Sequence, residues 1–259
     1  MKATGGTDGS EKTSEAQAFD PERLANVCAS CSLRELCVPG GITADELERL
    51  DTLVARRRSI ARGASLYRRG DAFRSLYAVR RGTFKSCANG ADGRVQITGF
   101  QLPGELLGLD GVAFERHGVD AVALEDSEVC VLPYAELERI ARSFAPLQHQ
   151  LHKVMSREIV RDQDVMMMLG VMRAEERIAA FLVGLSERHS RLGYSGVAFV
   201  LRMKREEIGN YLGLTIETVS RAFSALGAAG LIGVRGKQVE ILDLDALRAT
   251  LGTELLRRG

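Results

Sequence analysis

The stretch that decides the fold of the C-terminal region is KREEIGNYLGLTIETVSRAFSALGA, residues 204–228. Its apolar spacing predicts a helix over residues 204–212, a turn at Gly213-Leu214 and a second helix over residues 215–228. Gly213 allows the tight turn because glycine adopts left-handed backbone angles without strain. Thr215 is a residue type that caps helix N-termini. The pattern is therefore that of a helix-turn-helix.

The second predicted helix has an apolar and a polar face. The apolar positions, which we expect to pack inward, are Ile216, Val219, Phe223 and Leu226. The polar positions on the opposite face, at spacings of three and four, are Glu217, Ser220, Arg221 and Ser224. Arginine can bind guanine with two hydrogen bonds, glutamate accepts from the N4 amino group of cytosine, and serine is versatile. We therefore predict that Glu217, Ser220 and Arg221 bind DNA in the major groove.

A two-stranded wing is predicted after this helix. Gly230 and Gly233 interrupt the chain, and GVRGKQVEI at residues 233–241 is typical of two short strands and a tight turn. Arg235 and Lys237 would lie at the tip, where basic side chains can contact phosphate. The alternative is a helical hairpin whose polar face is only solvated, and a net charge of +1 does not decide between them. The cap, the glycine turn, the polar face and the basic tip together favour DNA binding.

In residues 56–133, short apolar stretches alternate with glycine-containing turns. The predicted strands cover residues 65–67, 76–79, 83–87, 95–100, 119–124 and 128–132. Short, evenly spaced strands between such turns are typical of an antiparallel barrel or roll.

A long helix is predicted over residues 146–169. Its apolar stripe, at spacings of three and four, is Leu147, Leu151, Val154, Met155, Ile159, Val165, Met166 and Leu169. A small barrel cannot bury this stripe alone, so we expect two copies to pair. Asp162 interrupts the stripe: facing its own copy it would make the dimer marginal through like-charge repulsion, whereas on the flank it would be solvated. We predict that Asp162 and the neighbouring Ile159 control dimerisation.

Four of the five cysteines could close one metal cage. Cys28, Cys31 and Cys37 lie in VCASCSLRELCVP, and Cys130 follows 93 residues later. Four thiolates suit either a zinc ion, which would staple the fold, or a [4Fe–4S] cluster, which would sense oxygen or redox state. Cys87 is interpreted as a buried strand residue.

Composition excludes several classes of protein. The chain has 259 residues, of which 45% are hydrophobic and 27% charged, and this is enough for two domains. It has no apolar run long enough for a membrane span and no signal-peptide core, so we expect it in the cytoplasm, where thiols stay reduced. P-loop, serine hydrolase and zinc peptidase motifs are absent from the sequence, so we predict no enzymatic activity.

The chain resembles the FNR (fumarate and nitrate reduction regulator) branch of the cAMP receptor protein superfamily, from about residue 28 to 241. The motifs that carry the resemblance are the cysteine segment, SLYAVRRGTFKS at 75–86, QITGF at 96–100, DQD at 162–164, AEERIAAF at 174–181 and GNYLGLTIETVSR at 209–221. The resemblance implies an α+β fold with an antiparallel, cyclic-nucleotide-binding-like β-roll as sensory domain, a long dimerisation helix and a C-terminal winged helix-turn-helix. The implied boundaries are a disordered tail at 1–27, the cysteine segment with the roll at 28–145, the dimerisation helix at 146–172 and the DNA-binding domain at 173–259.

The resemblance also implies an oxygen-responsive transcription regulator. The implied ligands of a [4Fe–4S] cluster are Cys28, Cys31, Cys37 and Cys130. The cluster would promote homodimerisation without oxygen, and oxygen would degrade it and inactivate the protein. The positions that match the family's base-contacting trio are Glu217, Ser220 and Arg221. The implied target is double-stranded DNA with a TTGAT-N4-ATCAA-like palindrome, and roll loops near residues 89–93 would contact RNA polymerase.

Cyclic-nucleotide binders of the superfamily show a pattern from which this chain departs. Gly104-Glu105 is present, but Arg116 is followed by His117, where an Arg-Ser or Arg-Thr pair would bind the phosphate. An anionic nucleotide needs the charge and the hydroxyl together, so we predict that cAMP does not bind. Two alternatives remain open: a zinc-stapled regulator, and a regulator of the same fold that is gated by a small molecule in the roll interior.

Overall fold

The N-terminal part of the fold is an antiparallel β-roll. A computed structural model of the chain describes residues 56–90 and 92–251, so the predicted tail and Cys28, Cys31 and Cys37 lie outside the described residues. The strands are β1 (Arg56–Ile60), β2 (Ser65–Tyr67), β3 (Ser75–Arg81), β4 (Phe84–Asn89), β5 (Val95–Gln101), β6 (Leu106–Leu107), β7 (Asp120–Ala123) and β8 (Ser127–Pro133). They form two four-stranded sheets, with strand orders β1-β8-β3-β6 and β2-β7-β4-β5. The predicted roll is confirmed, and β1 and β6 are additional to the predicted strands.

The two sheets bury apolar side chains between them, because alternate residues of a strand face the same side. Val79, Phe84 and Val129 are fully buried in this core. Gly82 joins β3 to β4 with a φ of +88°, and a Cβ atom there would lie 2.1 Å from the Ser127 hydroxyl oxygen. Glycine is therefore required at this turn.

Two helices follow the roll and pack on the outer face of its first sheet. They are α1 (Tyr134–Ser143) and the long α2 (Ala145–Val171). The apolar residues that they bury together with β3 are Leu76, Leu137, Ala141, Phe144 and Leu147. Pro146 lies in the first turn of α2, where its missing N–H costs no hydrogen bond. Within the described ranges, no helix combines the length and apolar content that crossing a membrane requires.

The C-terminal domain is a winged helix-turn-helix. Its elements are α3 (Ala174–Arg191), β9 (Ala198–Val200), α4 (Arg205–Leu212), α5 (Ile216–Ala228), β10 (Ile232–Arg235), β11 (Gln238–Ile241) and α6 (Leu244–Ala249). The three strands form one antiparallel sheet in the order β10-β11-β9. Ile178, Leu182, Ile208, Leu212 and Val219 are fully buried where α3, α4 and α5 meet.

The roll and the C-terminal domain pack against each other along β5. Ile97, Phe100 and Leu102 belong to the same apolar cluster as the core of the C-terminal domain. An ion pair crosses the boundary between Lys85 Nζ and Glu207 Oε1 at 2.8 Å. These contacts set the orientation of the helix-turn-helix relative to the roll.

Candidate nucleic-acid interface

The turn between α4 and α5 depends on two glycines. Gly213 ends α4 in the left-handed region, with φ +63° and ψ +36°, as predicted. At Gly209, a Cβ atom would lie 2.6 Å from the Leu214 carbonyl oxygen. A larger residue at this position would therefore clash with the turn where it packs against α4. Thr215 caps α5, since its hydroxyl accepts a hydrogen bond from the Thr218 backbone N–H at 3.3 Å.

The two faces of α5 are distributed largely as predicted. Val219, Phe223 and Leu226 are buried in the domain core. The exposed polar positions are Glu217, Ser220, Arg221 and Ser224. Ile216 was predicted to pack inward, and this is wrong: the residue is 46% exposed. It occupies the first position of α5, where the helix projects beyond the core, so its side chain lies beside the polar face.

Hydrogen bonds on α5 leave its polar groups available to a ligand. Ser220 and Ser224 donate their hydroxyl protons to the carbonyls of Ile216 and Ser220, which leaves hydroxyl lone pairs directed outward. Glu217 accepts a hydrogen bond from its own backbone N–H and one from the Thr215 hydroxyl, and these bonds lower the pKa of its carboxyl. Glu217 is therefore an acceptor at neutral pH, next to the positively charged guanidinium of Arg221.

Arg205 borders the same surface, and the sequence patterns did not single it out. Its guanidinium lies 3.3 Å above the centre of the Phe223 ring, and together with Ser220 and Ser224 it lines a hollow beside α5. Its Nη1 atom is buried and has no hydrogen-bond acceptor among the described residues. Burial lowers the pKa of Arg205. A buried cationic donor without an acceptor favours an anionic ligand, and a DNA phosphate supplies one.

The wing tip is basic and exposed. Gly236 turns the chain between β10 and β11 with a φ of +61°, and Arg235 and Lys237 flank it on the exposed side. Their position beside α5 extends the candidate interface by two cations.

The long helix α2 leaves much of its apolar stripe uncovered in the single chain. Leu147 is buried against α1, and Met168 is buried near the C-terminal end of α2. The exposed members of the stripe are Met155, Ile159, Met166 and Leu169. Ile159 and Asp162 both line a cavity of about 430 Å³ between α2 and the roll.

Comparison with known proteins identifies the family. A Crp-like helix-turn-helix domain matches residues 176–250, and a cyclic nucleotide-binding domain matches residues 57–144. The chain is 49% identical to the transcriptional regulatory protein btr of Bordetella pertussis, over 88% of this chain and 94% of that protein. It is 42% identical to the fumarate and nitrate reduction regulatory protein of Salmonella typhimurium, over 87% of this chain and 90% of that protein. The chain belongs to the FNR-type regulators of the cAMP receptor protein superfamily.

As an FNR-type regulator, the chain is a DNA-binding transcription regulator and not an enzyme. It is also 46% identical to the transcriptional activator protein anr of Pseudomonas aeruginosa, over 88% of this chain and 93% of that protein. Among solved structures, it is similar to FixK2 from Bradyrhizobium japonicum, with a TM-score of 0.70 and 31% identity over 76% of this chain and 98% of that chain. The predicted α+β architecture of this family is confirmed.

Of the four cysteines predicted to hold a cofactor in this FNR-type chain, only Cys130 falls in the described ranges. It is buried on β8, directly opposite Ala78 of β3 and Arg57 of β1. Among residues 56–90 and 92–251, no three His, Cys, Asp or Glu side chains gather as metal ligands, and this does not test a cage whose other three thiols precede residue 56. Cys87 is buried on β4, as predicted.

The carboxylate of the Gly104-Glu105 turn is bonded within the protein itself in this FNR-type chain. Glu105 accepts two hydrogen bonds from Arg188 of α3, at 2.8 and 2.6 Å, and Arg161 of α2 lies 3.5 Å away. Burial alone would raise the pKa of Glu105, but the two guanidinium groups hold it below its usual value. Arg116 is exposed and donates to the Gly70 carbonyl at 2.9 Å. Glu105 and Arg116 are thus both bonded within the protein, and the absence of cAMP binding stays a prediction.

Proposed function

We propose that this FNR-type regulator is an oxygen-responsive transcription factor. In the cytoplasm it would bind TTGAT-N4-ATCAA-like palindromes as a homodimer, and a [4Fe–4S] cluster would control the pairing. The observation that carries the proposal is the exposed polar face of α5, with Glu217, Ser220 and Arg221, in a chain 42–49% identical to named transcription regulators.

The proposed DNA contacts divide into base and phosphate contacts. Arg221 would bind guanine with two hydrogen bonds, and Glu217 would accept from the N4 amino group of cytosine. The exposed Ile216 would contact a thymine methyl group, as apolar side chains do in the major groove. Arg205 and the basic wing tip would bind phosphates, which set the position of the protein without discriminating bases.

The pairing of β1 with β8 supports the proposal that Cys130 is the fourth ligand. The chain enters the described part of the fold at β1, and Arg57 of β1 pairs directly with Cys130. Cys37 precedes Arg57 by 20 residues, which is ample length to return to the same sheet face. Cys130 is buried, and its strand partner Arg57 has a side chain that is 39% exposed and pairs with Glu128 at 3.7 Å. The donor set of Cys28, Cys31, Cys37 and Cys130 therefore fits the cluster.

The protein's part in oxygen sensing is to hold and expose that cluster. Sensitivity to oxygen is the chemistry that the bound [4Fe–4S] cluster supplies. The four thiolates would tie residues 28–37 to β8, and ligation energy would become folding energy for this segment. Loss of the cluster would release residues 28–37 from the sheet.

Pairing of α2 is the proposed output of this change. The exposed apolar side chains of α2 supply a surface that a second copy can bury. Asp162 is exposed beside Ile159. Two such carboxylates in a dimer interface would repel each other, so that monomer and dimer would differ little in free energy without the cluster. Loops at the tip of the β4–β5 hairpin, near residues 89–93, would contact RNA polymerase.

Metal analysis tests the proposal and its zinc alternative together. Iron, acid-labile sulfide and zinc are measured on protein purified without oxygen, with sedimentation and operator binding before and after exposure to air. We expect about four irons per chain, dimers that bind the operator, and loss of all three in air. The matched variants are Cys130→Ser, which should lack iron, and Cys87→Ser, which should retain it. One zinc per chain that is unchanged by air would refute oxygen sensing.

The small-molecule alternative has one supporting observation, the cavity of about 430 Å³ between α2 and the roll. Tyr67, Gln101 and Asp110 line it with polar groups. If cluster-free protein dimerises on titration with nucleotides, and the Cys130→Ser variant does so equally, this alternative replaces the cluster.

A further inference from the structure

Asn210 binds the first helix of the helix-turn-helix to an edge strand of the roll. β5 is the outer strand of its sheet, so the backbone groups on its outer side have no neighbouring strand to bond. The Asn210 carboxamide takes that place: Oδ1 accepts from the Ile97 N–H at 2.5 Å, and Nδ2 donates to the Val95 carbonyl at 2.8 Å. From the roll, Gln96 Nε2 donates to the Asn210 carbonyl at 2.7 Å. The Asn210 side chain thus makes the two hydrogen bonds that a residue of a neighbouring strand would make with β5.

A second polar contact lies on α3. Arg188 binds both carboxylate oxygens of Glu105, and it also donates to the Phe100 carbonyl. A two-point arginine–carboxylate contact fixes direction as well as distance. Between the two polar contacts, the Phe100 ring packs against Tyr211 of α4 and Phe181 of α3, with centroid distances of 5.2 and 6.1 Å. The domain is therefore held at both ends of an apolar contact, which restricts its rotation.

The long helix shares the second contact. Arg161 of α2 lies 3.5 Å from the Glu105 carboxylate that binds Arg188. One partly buried carboxylate of the roll thus contacts both α2 and the DNA-binding domain. The orientation of the domain is set relative to α2, and so relative to the axis of any dimer that α2 forms.

None of these contacts uses the polar face of α5, which stays exposed. A dimer that binds a palindrome must present its two recognition helices about one turn of DNA apart. A domain that rotates freely has to lose that freedom on binding, and it tolerates half-sites at several spacings. A domain held by Asn210 and Arg188 has little rotational freedom to lose, and it would accept half-sites at one spacing.

We propose that Asn210 and Arg188 are positioning residues that set the half-site spacing accepted by the dimer. The proposal rests on the proposed function as a dimeric DNA-binding regulator, and it adds residues that touch no DNA. They act by holding α4 and α3 on the roll, so that the two copies of α5 in a dimer face the duplex at one separation.

The experiment compares operators whose half-sites are separated by two, four or six base pairs, together with a single half-site. The cluster-loaded full chain and the variants Asn210→Ala, Asn210→Asp and Gln96→Ala are titrated with each. Asn210→Asp preserves size but opposes a carboxylate to the Val95 carbonyl, and Gln96→Ala weakens the contact from the roll without altering α4. Asn89→Ala is the matched control, because it loses a hydrogen bond to Asp120 of β7, within the same sheet and away from α4. Amide hydrogen exchange at Ile97 is followed in each protein without DNA.

We expect the variants at Asn210 to bind the four-base-pair operator about tenfold more weakly, with smaller losses at the other spacings, so that the discrimination between spacings decreases. Binding to the single half-site and the dimer dissociation constant should not change, and Ile97 exchange should accelerate. Equal losses at every spacing, or an unaltered preference, would overturn the positioning role. Unchanged Ile97 exchange would show that the contact is not formed in solution. If the unaltered chain binds no palindrome, the proposed function fails, and the exchange data alone then decide whether Asn210 holds the domain.

Discussion

Truncation of Ile159 to alanine should weaken the dimer about a hundredfold without destabilising the single chain. The Ile159 side chain is 58% exposed in the single chain, so folding of one copy does not depend on it. Each copy loses three carbon atoms, worth about 0.8 kcal/mol apiece when fully buried. In the dimer, roughly six-tenths of the surface of these atoms would be newly buried in each of the two copies. The variant dimer would therefore lose about 3 kcal/mol of association free energy, which raises the dissociation constant about a hundredfold.

Sedimentation velocity on anaerobic, cluster-loaded protein measures this constant directly. Leu242→Ala is the matched control, because Leu242 is 56% exposed on the C-terminal domain and loses the same number of carbon atoms. The melting temperature of both variants should stay within a degree or two of the unaltered protein in the cluster-free, monomeric state. A dimer constant that moves less than threefold in Ile159→Ala, or equally in both variants, would refute the assignment of this face of α2 to the dimer seam.

Three further outcomes are expected. Asp162→Ala removes the paired carboxylates and should dimerise in air, so a variant that stays monomeric on sedimentation would place Asp162 on the flank. Arg221→Ala should lose about 1–3 kcal/mol of operator affinity and relax selection at one base pair, whereas Lys237→Ala should lower the salt slope of binding by about one without altering base preference. Burial raises the pKa of Cys87, so peptide mapping should find it unalkylated at pH 8 until the protein is denatured.

The recognition helix could be predicted because its determinants are local. The Thr215 cap, the Gly213 turn and the spacing of buried and exposed residues on α5 all follow from neighbours within one or two helical turns. The prediction that Ile216 packs inward was wrong because helical periodicity does not show where the core ends. At the first position of a helix, an apolar residue on the inward side can already lie beyond the core.

Elements with weak local signals were missed. β1 begins with Arg56, Arg57 and Arg58, all exposed, and only Ile60 is buried, so it has no alternating pattern. Its strand conformation comes from pairing with β8, across a separation of more than 60 residues. α1 directly follows Pro133 and buries few side chains, so its pattern is short. In both cases long-range pairing or packing determines a structure that local propensity leaves undecided.

The polar contacts between domains were beyond prediction for the same reason. Glu105 and Arg188 are 83 residues apart, and Asn210 lies 113 residues from Ile97. Each side chain alone is typical of a solvated surface. Their partners become known only when the roll and the helix-turn-helix are placed together, as is also true of Arg205 and the Phe223 ring.

Cys130 lies close enough to the root of α2 for ligation to act on it through packing. Cys130 and Leu132 face the same side of β8, since they are two residues apart on one strand. Leu132 packs against the cluster of Leu76, Leu137 and Leu147, and Leu147 is in the first turn of α2. Close-packed side chains transmit small displacements because they cannot absorb them. A change at the fourth ligand would therefore reach the start of α2 through one layer of side chains, whereas Ile159 lies about three turns further along the same helix. Under the proposed function, the tilt of α2 would respond to ligation at Cys130, and the exposed stripe of α2 would convert that tilt into pairing.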